Sequence, residues 1–139
     1  MIKNIPRLIY GTAWKEDTTK DLVCTAIEMG FRGIDTANQR CHYHEAAVGK
    51  AIFKVLKGGI KREELFIQTK YTYSKGQDER IPYDIDANYG TQVRQSFQSS
   101  LKHLQIDHVD SYLLHGPAIR WGLTQDDWEV WKEMEVIHQ

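Results

Sequence analysis

Four residues of this sequence are of types that move protons, and three of them lie at the ends of short apolar runs. Asp35, Lys70 and His115 each follow such a run, and Tyr43 lies in the polar loop after Asp35. Apolar cores reject charged side chains, so this repeated placement is informative. An acid, an ammonium, an imidazole and a phenol together predict a site that protonates an oxygen, as a reductase requires.

A phenol is a poor proton donor near pH 7 because its reference pKa is about 10. We expect the ammonium of Lys70 to lower the pKa of Tyr43, and Asp35 to keep Lys70 protonated. His115 can hydrogen-bond a substrate oxygen and fix its orientation. Proton transfer of this kind must be joined to a hydride, which predicts a redox cofactor.

The apolar periodicity predicts four repeats of a strand, a loop and a helix. Parallel strands need long connections, so this alternation predicts a parallel sheet with right-handed crossovers. The C-terminal ends of parallel strands share one face, and in a β/α barrel that face carries the chemistry. Strands are predicted at residues 8–10, 33–35, 65–69 and 109–114, and helices at 18–30, 45–58, 88–104 and 124–139.

Two helices carry signals for their first turns and their buried faces. Thr18 and Asp21 have the spacing of a capping box at the first helix, and Thr124 opens the last helix with the same spacing. In that last helix, Trp128 and Trp131 are predicted to belong to the core.

The longest irregular segment covers residues 71–87 and contains Tyr71, Tyr73 and Tyr83. A loop of this length in a compact domain is usually functional or mobile. Two interpretations remain open, because these tyrosines are equally suited to lining a substrate pocket and to a surface loop.

The composition excludes several classes of protein. The 139 residues are 41% hydrophobic and 27% charged, as in folded soluble domains. A net charge of -1 gives no electrostatic case for nucleic acid or an anionic membrane as a partner. The N-terminal stretch MIKNIPRLIY lacks the apolar segment of a leader, and no run is long enough to span a membrane. We therefore expect a cytoplasmic protein.

The cysteines suggest neither a disulfide framework nor a zinc ribbon. Cys24 and Cys41 form no paired-cysteine motif. Cys41, His42 and His44 are of metal-ligating types, but they lack a further clear partner and lie in a loop on the substrate side. No metal site is predicted.

Four strings of the sequence resemble the aldo-keto reductase family, in the family's order. They are GFRGIDTA, HYHEAAVGKAI, REELFIQTK and SSLKHLQIDHVDSYLLHGP. The resemblance implies NADPH-dependent reduction of a small aldehyde or ketone on a parallel (β/α) barrel of the TIM type. It assigns residues 1–139 to one partial domain, the first four βα units, which form half a barrel.

The resemblance also implies roles for individual residues. Tyr43 is implied as the general acid, Lys70 and Asp35 as the pair that tunes it, and His115 as the residue that orients the substrate. The residues implied near the nicotinamide are Gly11, Thr12 and Asp35.

One departure from the family pattern concerns the tyrosine. Arg40 occupies the position that usually holds it, and Tyr43 lies a few residues further on. A longer loop explains the shift, and His42 is the alternative candidate for the acid.

The other departure concerns length, because members of the family are roughly twice as long. Their second half supplies most of the cofactor grip, including the basic residues that select NADPH. An alternative hypothesis is therefore a truncated, catalytically silent chain that binds a partner or self-associates through exposed sheet edges.

Overall fold

The computed structural model describes residues 5–139, which form a four-stranded sheet and four α-helices. No helix in this range is both long and apolar enough to cross a membrane. The expectation about an N-terminal leader falls partly on residues 1–4, which lie outside the described residues. The strands are β1 (Ile9–Gly11), β2 (Gly33–Asp35), β3 (Phe66–Tyr71) and β4 (Ser111–Leu114). The helices are α1 (Thr19–Glu28), α2 (Glu45–Lys57), α3 (Tyr89–Leu104) and α4 (Gln125–His138).

The strands are parallel and lie in sequence order, and the helices cover one face of the sheet. Ile34 and Ile67 pack in one core with residues of α1, α2 and α3. Tyr71 and Tyr112 lie on the same face and pack in a second core with residues of α3 and α4. This winding is that of a β/α barrel, whereas a doubly wound sheet has helices on both faces. The predicted α/β class is confirmed, and the arrangement is consistent with half a barrel.

The opposite face of the sheet carries the polar residues of interest. Side chains alternate along a strand, so Asp35 lies on the face opposite to Ile34, and Gln68 and Lys70 share that face with Asp35. The register aligns Asp35 with Gly11 on one side and with Gln68 on the other. The strand ends therefore meet at one edge, as the alternation predicts.

The segment between β3 and α3 is packed into the protein. Tyr73 and Tyr83 are buried with Tyr71 of β3 in the second core. The hydroxyl of Tyr83 donates to the carbonyl oxygen of Thr72 at 2.7 Å, and that of Tyr73 donates to Oδ1 of Asp127 at 2.9 Å. These tyrosines are thus core residues and not a surface loop, although Tyr73 also borders a cavity described below.

The prediction that Trp128 and Trp131 are core residues is wrong. They are 52% and 48% exposed, whereas Asp127, Val130 and Met134 are buried. The buried positions follow the i, i+3, i+7 spacing of one helix face, and each tryptophan lies one residue beyond that face.

The two predicted capping boxes have opposite outcomes. Thr18 precedes α1, but its hydroxyl donates to the carbonyl oxygen of Lys15 at 2.6 Å and makes no cap with the helix. The box predicted with Asp21 is therefore wrong. At α4 the box is present, and the N–H of Thr124 donates to Oδ2 of Asp127 at 2.8 Å.

Helices α2 and α3 pack closely at Gly49, where a Cβ would lie 1.9 Å from the carbonyl oxygen of His103. Alanine is favoured over glycine within a helix by about 1 kcal/mol, but overpacking against backbone typically costs about 1–3 kcal/mol or more. We expect Gly49→Ala to lower the free energy of unfolding by about 2 kcal/mol or more, measured by urea denaturation.

Gly11→Ala is the matched control, because a Cβ there would meet no atom within 4 Å. Its free energy of unfolding should stay within about 0.5 kcal/mol of the parent value. An unchanged or higher stability for Gly49→Ala would contradict the close packing of these helices.

Candidate active site

The ammonium of Lys70 is held by two acceptors where β2 and β3 end. Its Nζ lies 2.7 Å from Oδ2 of Asp35 and 2.8 Å from the carbonyl oxygen of Thr36. The side chains of Lys70 and Asp35 are 11% and 20% exposed, so water screens this ion pair only in part. The structure thus brings Asp35 and Lys70 together, as their placement at strand ends predicts.

Tyr43 lies against this ion pair from the loop after β2. The Nζ of Lys70 is 4.9 Å from the centroid of the Tyr43 ring. Burial, followed by the negative charge of Asp35, raises the pKa of Tyr43 above its usual value. The expected net fall in this pKa is therefore not found, because burial and the carboxylate of Asp35 both disfavour the phenolate and decide the direction of the shift. Tyr43 keeps its proton near pH 7, which suits a proton donor.

His115 lies beside Tyr43, with ring centroids 5.8 Å apart in an edge-on arrangement. Its Nδ1 is 2.8 Å from Oγ1 of Thr72. Its backbone N–H donates to the backbone carbonyl oxygen of Tyr71 at 2.9 Å. Burial, followed by the charge of Lys70, lowers the pKa of His115 below its ordinary value of 6.5. The imidazole is therefore neutral at pH 7 and carries one N–H.

A cavity of about 510 Å³ opens beside His115, and His42 and Gln39 also line it. The Nδ1 of His42 is 3.0 Å from Oε1 of Gln39, and its ring lies 4.1 Å from that of Trp14, measured between centroids. Tyr43 contacts the ammonium described above, whereas His42 is engaged by Gln39 and Trp14. The geometry thus favours Tyr43 over His42 as the acid.

The last residue of β1 and the residue that follows it, Gly11 and Thr12, are among those expected near a nicotinamide. Gly11 is exposed, and the open space at its Cβ position leaves room for a flat ring to approach the backbone. Thr12 is fully buried, and both its N–H and its hydroxyl donate to the carbonyl oxygen of Asp35, at 3.1 and 2.9 Å. Cofactor binding by Gly11 and Thr12 stays a prediction, and this geometry gives Thr12 the task of tying β1 to β2.

Two residues that the sequence analysis did not single out hold Asp35 from the other side. The Nε2 of Gln68 donates to Oδ1 of Asp35 at 2.8 Å, and Oγ of Ser111 donates to Oε1 of Gln68 at 2.9 Å. The register pairs Gln68 with both Asp35 and Ser111. The available signal was a glutamine inside an apolar run, on the same strand face as Lys70.

Cys41 and His42, two of the three loop residues of metal-ligating type, are bonded to protein groups, whereas no partner is observed for the buried Nδ1 of His44 among residues 5–139. The Sγ of Cys41 lies 3.5 Å from the carbonyl oxygen of Gly76, and His42 is bonded to Gln39. Within residues 5–139, no group of three or more histidine, cysteine or acidic side chains is arranged to hold a metal ion.

Comparisons of the sequence with a family model and with curated proteins agree on one family. The sequence model described as "Aldo/keto reductase family" matches residues 7–139. Morphine 6-dehydrogenase of Pseudomonas putida is 34% identical over 126 residues, covering 90% of this chain and 37% of that protein. An aldo-keto reductase of Mycobacterium tuberculosis is 37% identical over 125 residues, covering 89% of this chain and 38% of that protein.

Solved structures of the same family have a similar fold. The aldose reductase of Giardia lamblia superposes with a TM-score of 0.74 at 25% identity, covering 99% of this chain and 47% of that one. The chain therefore spans less than half the length of the relatives that it matches.

The raised pKa of Tyr43 gives a test of the site's electrostatics. Replacing the carboxylate in Asp35→Asn removes a negative charge that opposes the phenolate, so we expect the pKa of Tyr43 to fall towards its usual value. The measurement is a pH titration of the Tyr43 Cζ resonance by ¹³C NMR, assigned with Tyr43→Phe.

Asp107→Asn, a change of the same type at an exposed position, should leave the titration of Tyr43 unchanged. A pKa of Tyr43 that stays constant or rises in Asp35→Asn would contradict the arrangement described here.

Proposed function

The chain belongs to the aldo/keto reductase family, and on that premise we propose that it carries out NADPH-dependent reduction of an aldehyde or ketone to an alcohol. Members of the family are oxidoreductases that generally use NAD(P)H. The observation that carries the proposal is the contact of the Lys70 ammonium with both Asp35 and the ring of Tyr43, next to His115.

In the proposed reaction, Tyr43 is the proton donor. Its phenol O–H bond breaks as the proton moves to the carbonyl oxygen, and the product alcohol leaves with that proton. The ammonium of Lys70 lies against the ring and compensates the charge that then develops on the phenolate oxygen. Asp35 keeps this ammonium in place.

His115 orients the substrate in this proposal. The neutral imidazole offers an N–H to the carbonyl oxygen, because its pKa is lowered by burial and by Lys70. A neutral donor holds the oxygen without competing with Tyr43 to protonate it. The cavity beside His115, about 510 Å³, is the proposed place of the carbonyl compound.

The residues at the end of β1 and β2 fit a nicotinamide ring. When bound, the reduced nicotinamide supplies a hydride to the carbonyl carbon. The exposed backbone of Gly11 and the carboxylate of Asp35 would border the ring. Thr12 ties the two strand ends together by donating to the carbonyl oxygen of Asp35.

We also propose a cytoplasmic setting for the chain. Cys24 and Cys41 are both free thiols. Unpaired cysteines are the usual state in a reducing compartment.

Replacing the proposed acid tests the function directly. Tyr43→Phe keeps the ring against Lys70 but lacks the proton, so we expect carbonyl reduction to fall by at least about 10². NADPH binding should survive, because the ring itself remains. The measurements are NADPH oxidation at 340 nm with a panel of aldehydes and ketones, and quenching of NADPH fluorescence on binding.

His42→Phe is the matched control, since it places the same side chain at the alternative position. Its turnover should exceed that of Tyr43→Phe by a wide margin. Undiminished reduction by Tyr43→Phe would exclude Tyr43 as the acid, and loss of turnover in His42→Phe alone would assign that role to His42.

Self-association is a second candidate function, favoured by the apolar side chains exposed at the outer strands. Leu8, Ile9 and Leu113 are 71%, 36% and 39% exposed, and Ile9 and Leu113 lie in β1 and β4. Burying such apolar area between two copies would be favourable.

Sedimentation velocity over a wide concentration range tests self-association. We expect a mass above the 16.2 kDa of one chain, reduced towards that value by Leu113→Lys. Phe53→Lys, at an apolar residue on α2 that is 50% exposed, is the control and should leave the mass unchanged. A single species of one-chain mass at all concentrations would rule out this candidate.

A further inference from the structure

The neutral ring of His115 has one proton and two nitrogens, and its neighbours decide which nitrogen carries the proton. The Nδ1 lies 2.8 Å from the hydroxyl of Thr72. Among residues 5–139, no partner is observed for Nε2, and His115 lines the cavity. The state of this ring therefore depends on the direction of the hydrogen bond with Thr72.

Thr72 is held in place through both its backbone carbonyl and its methyl group. Its backbone carbonyl accepts hydrogen bonds from the hydroxyl of Tyr83 at 2.7 Å and from Nε2 of Gln77 at 3.4 Å. Its methyl group packs against Gly76, where a Cβ would lie only 2.8 Å from Cγ2. The hydroxyl is thereby fixed towards His115.

The hydroxyl hydrogen of Thr72 needs an acceptor because the residue is only 7% exposed. Within the described part of the chain, Nδ1 of His115 is the acceptor observed for it. If Nδ1 carried the ring proton, the hydroxyl would accept that proton and its own hydrogen would be left without a partner. An unsatisfied buried donor is unfavourable, whereas an unused lone pair costs less.

We propose that Thr72 is a positioning residue whose hydroxyl donates to Nδ1 of His115 and thereby places the ring proton on Nε2. This inference rests on the proposed function, in which Nε2–H donates to the carbonyl oxygen of the substrate. Without this bond both neutral forms of the ring are accessible, and the form protonated on Nδ1 presents a lone pair to that oxygen and repels it.

His42 lines the same cavity, but its Nδ1 faces an acceptor, whereas Nδ1 of His115 faces a hydroxyl that can donate. The Nε2 of Gln39 donates to the carbonyl oxygen of Gly76 at 2.7 Å, which fixes the amide so that Oε1 faces His42. Oε1 can only accept, so neutral His42 carries its proton on Nδ1. The two imidazoles therefore provide an internal comparison within one molecule.

Long-range ¹H–¹⁵N correlation spectra distinguish protonated from unprotonated ring nitrogens without cofactor or substrate. We propose recording them on the full chain at about pH 8.5, where an ordinary imidazole with a pKa near 6.5 is neutral. His115→Gln and His42→Gln assign the two rings. The variants are Thr72→Val, which keeps the shape but removes the hydroxyl, and Thr72→Ser, which retains the hydroxyl.

In the native chain we expect His115 to carry its proton on Nε2 with a preference of roughly tenfold or more, the size expected for one unsatisfied buried donor. Thr72→Val should reduce this preference at least several-fold, and Thr72→Ser should restore it. His42 should remain protonated on Nδ1 in all three proteins.

A native His115 that carries its proton on Nδ1 would overturn the inference without any variant, so it is testable even if Thr72→Val fails to fold. An unchanged ratio in a folded Thr72→Val protein would also overturn it. In turnover assays, Thr72→Val should lower kcat with NADPH binding unchanged. Failure of the proposed function would instead appear as no NADPH-dependent carbonyl reduction by the native chain, a result that leaves the position of the ring proton untouched.

Discussion

The ion pair between Asp35 and Lys70 is the interaction on which the rest of the site depends. Removing one partner of a buried pair typically costs about 3–5 kcal/mol, because the other charge is left unpaired. The 11% and 20% exposure of these side chains reduces that penalty through screening but does not remove it. Because the pair joins the ends of β2 and β3, it fixes the two strands against each other where Tyr43 packs.

All four strands contribute to holding this pair. Asp35 and Lys70 come from β2 and β3, and Thr12, directly after β1, donates to the backbone of Asp35. Gln68 of β3 reaches Asp35, and Ser111 of β4 holds Gln68 in turn. The register of the parallel strands aligns Asp35, Gln68 and Ser111 side by side across the sheet. The helices pack on the other face of the sheet, where the missing side chain of Gly49 permits a close contact between α2 and α3.

The sequence was sufficient for the parts of the site that follow from topology. Strand ends of a parallel sheet share an edge, so Asp35, Lys70 and His115 could be grouped from the alternation of elements alone. Gln68, Ser111 and Thr72 were not found because their roles depend on strand register and on one hydroxyl direction. Of the three, only Gln68 has a signal in the sequence, as a glutamine inside an apolar run.

The errors have equally physical causes. The apolar character of Trp128 and Trp131 predicts core positions, but the phase of α4 turns Val130 inwards instead. The pKa of Tyr43 was expected to fall beside Lys70, but burial and Asp35 raise it. Local composition predicts which residues gather at a site, whereas the sign of an electrostatic effect requires knowing how deeply each group is buried.

The measurement that tests the central claim most directly is isotope transfer from labelled cofactor. The purified chain is given NADPH deuterated at C4 of the dihydronicotinamide, with an aldehyde in ordinary water, and the alcohol is analysed by mass spectrometry. The account predicts deuterium on the carbinol carbon and an ordinary proton on its oxygen. Alcohol without deuterium, or no alcohol from a folded chain that binds NADPH, would contradict it.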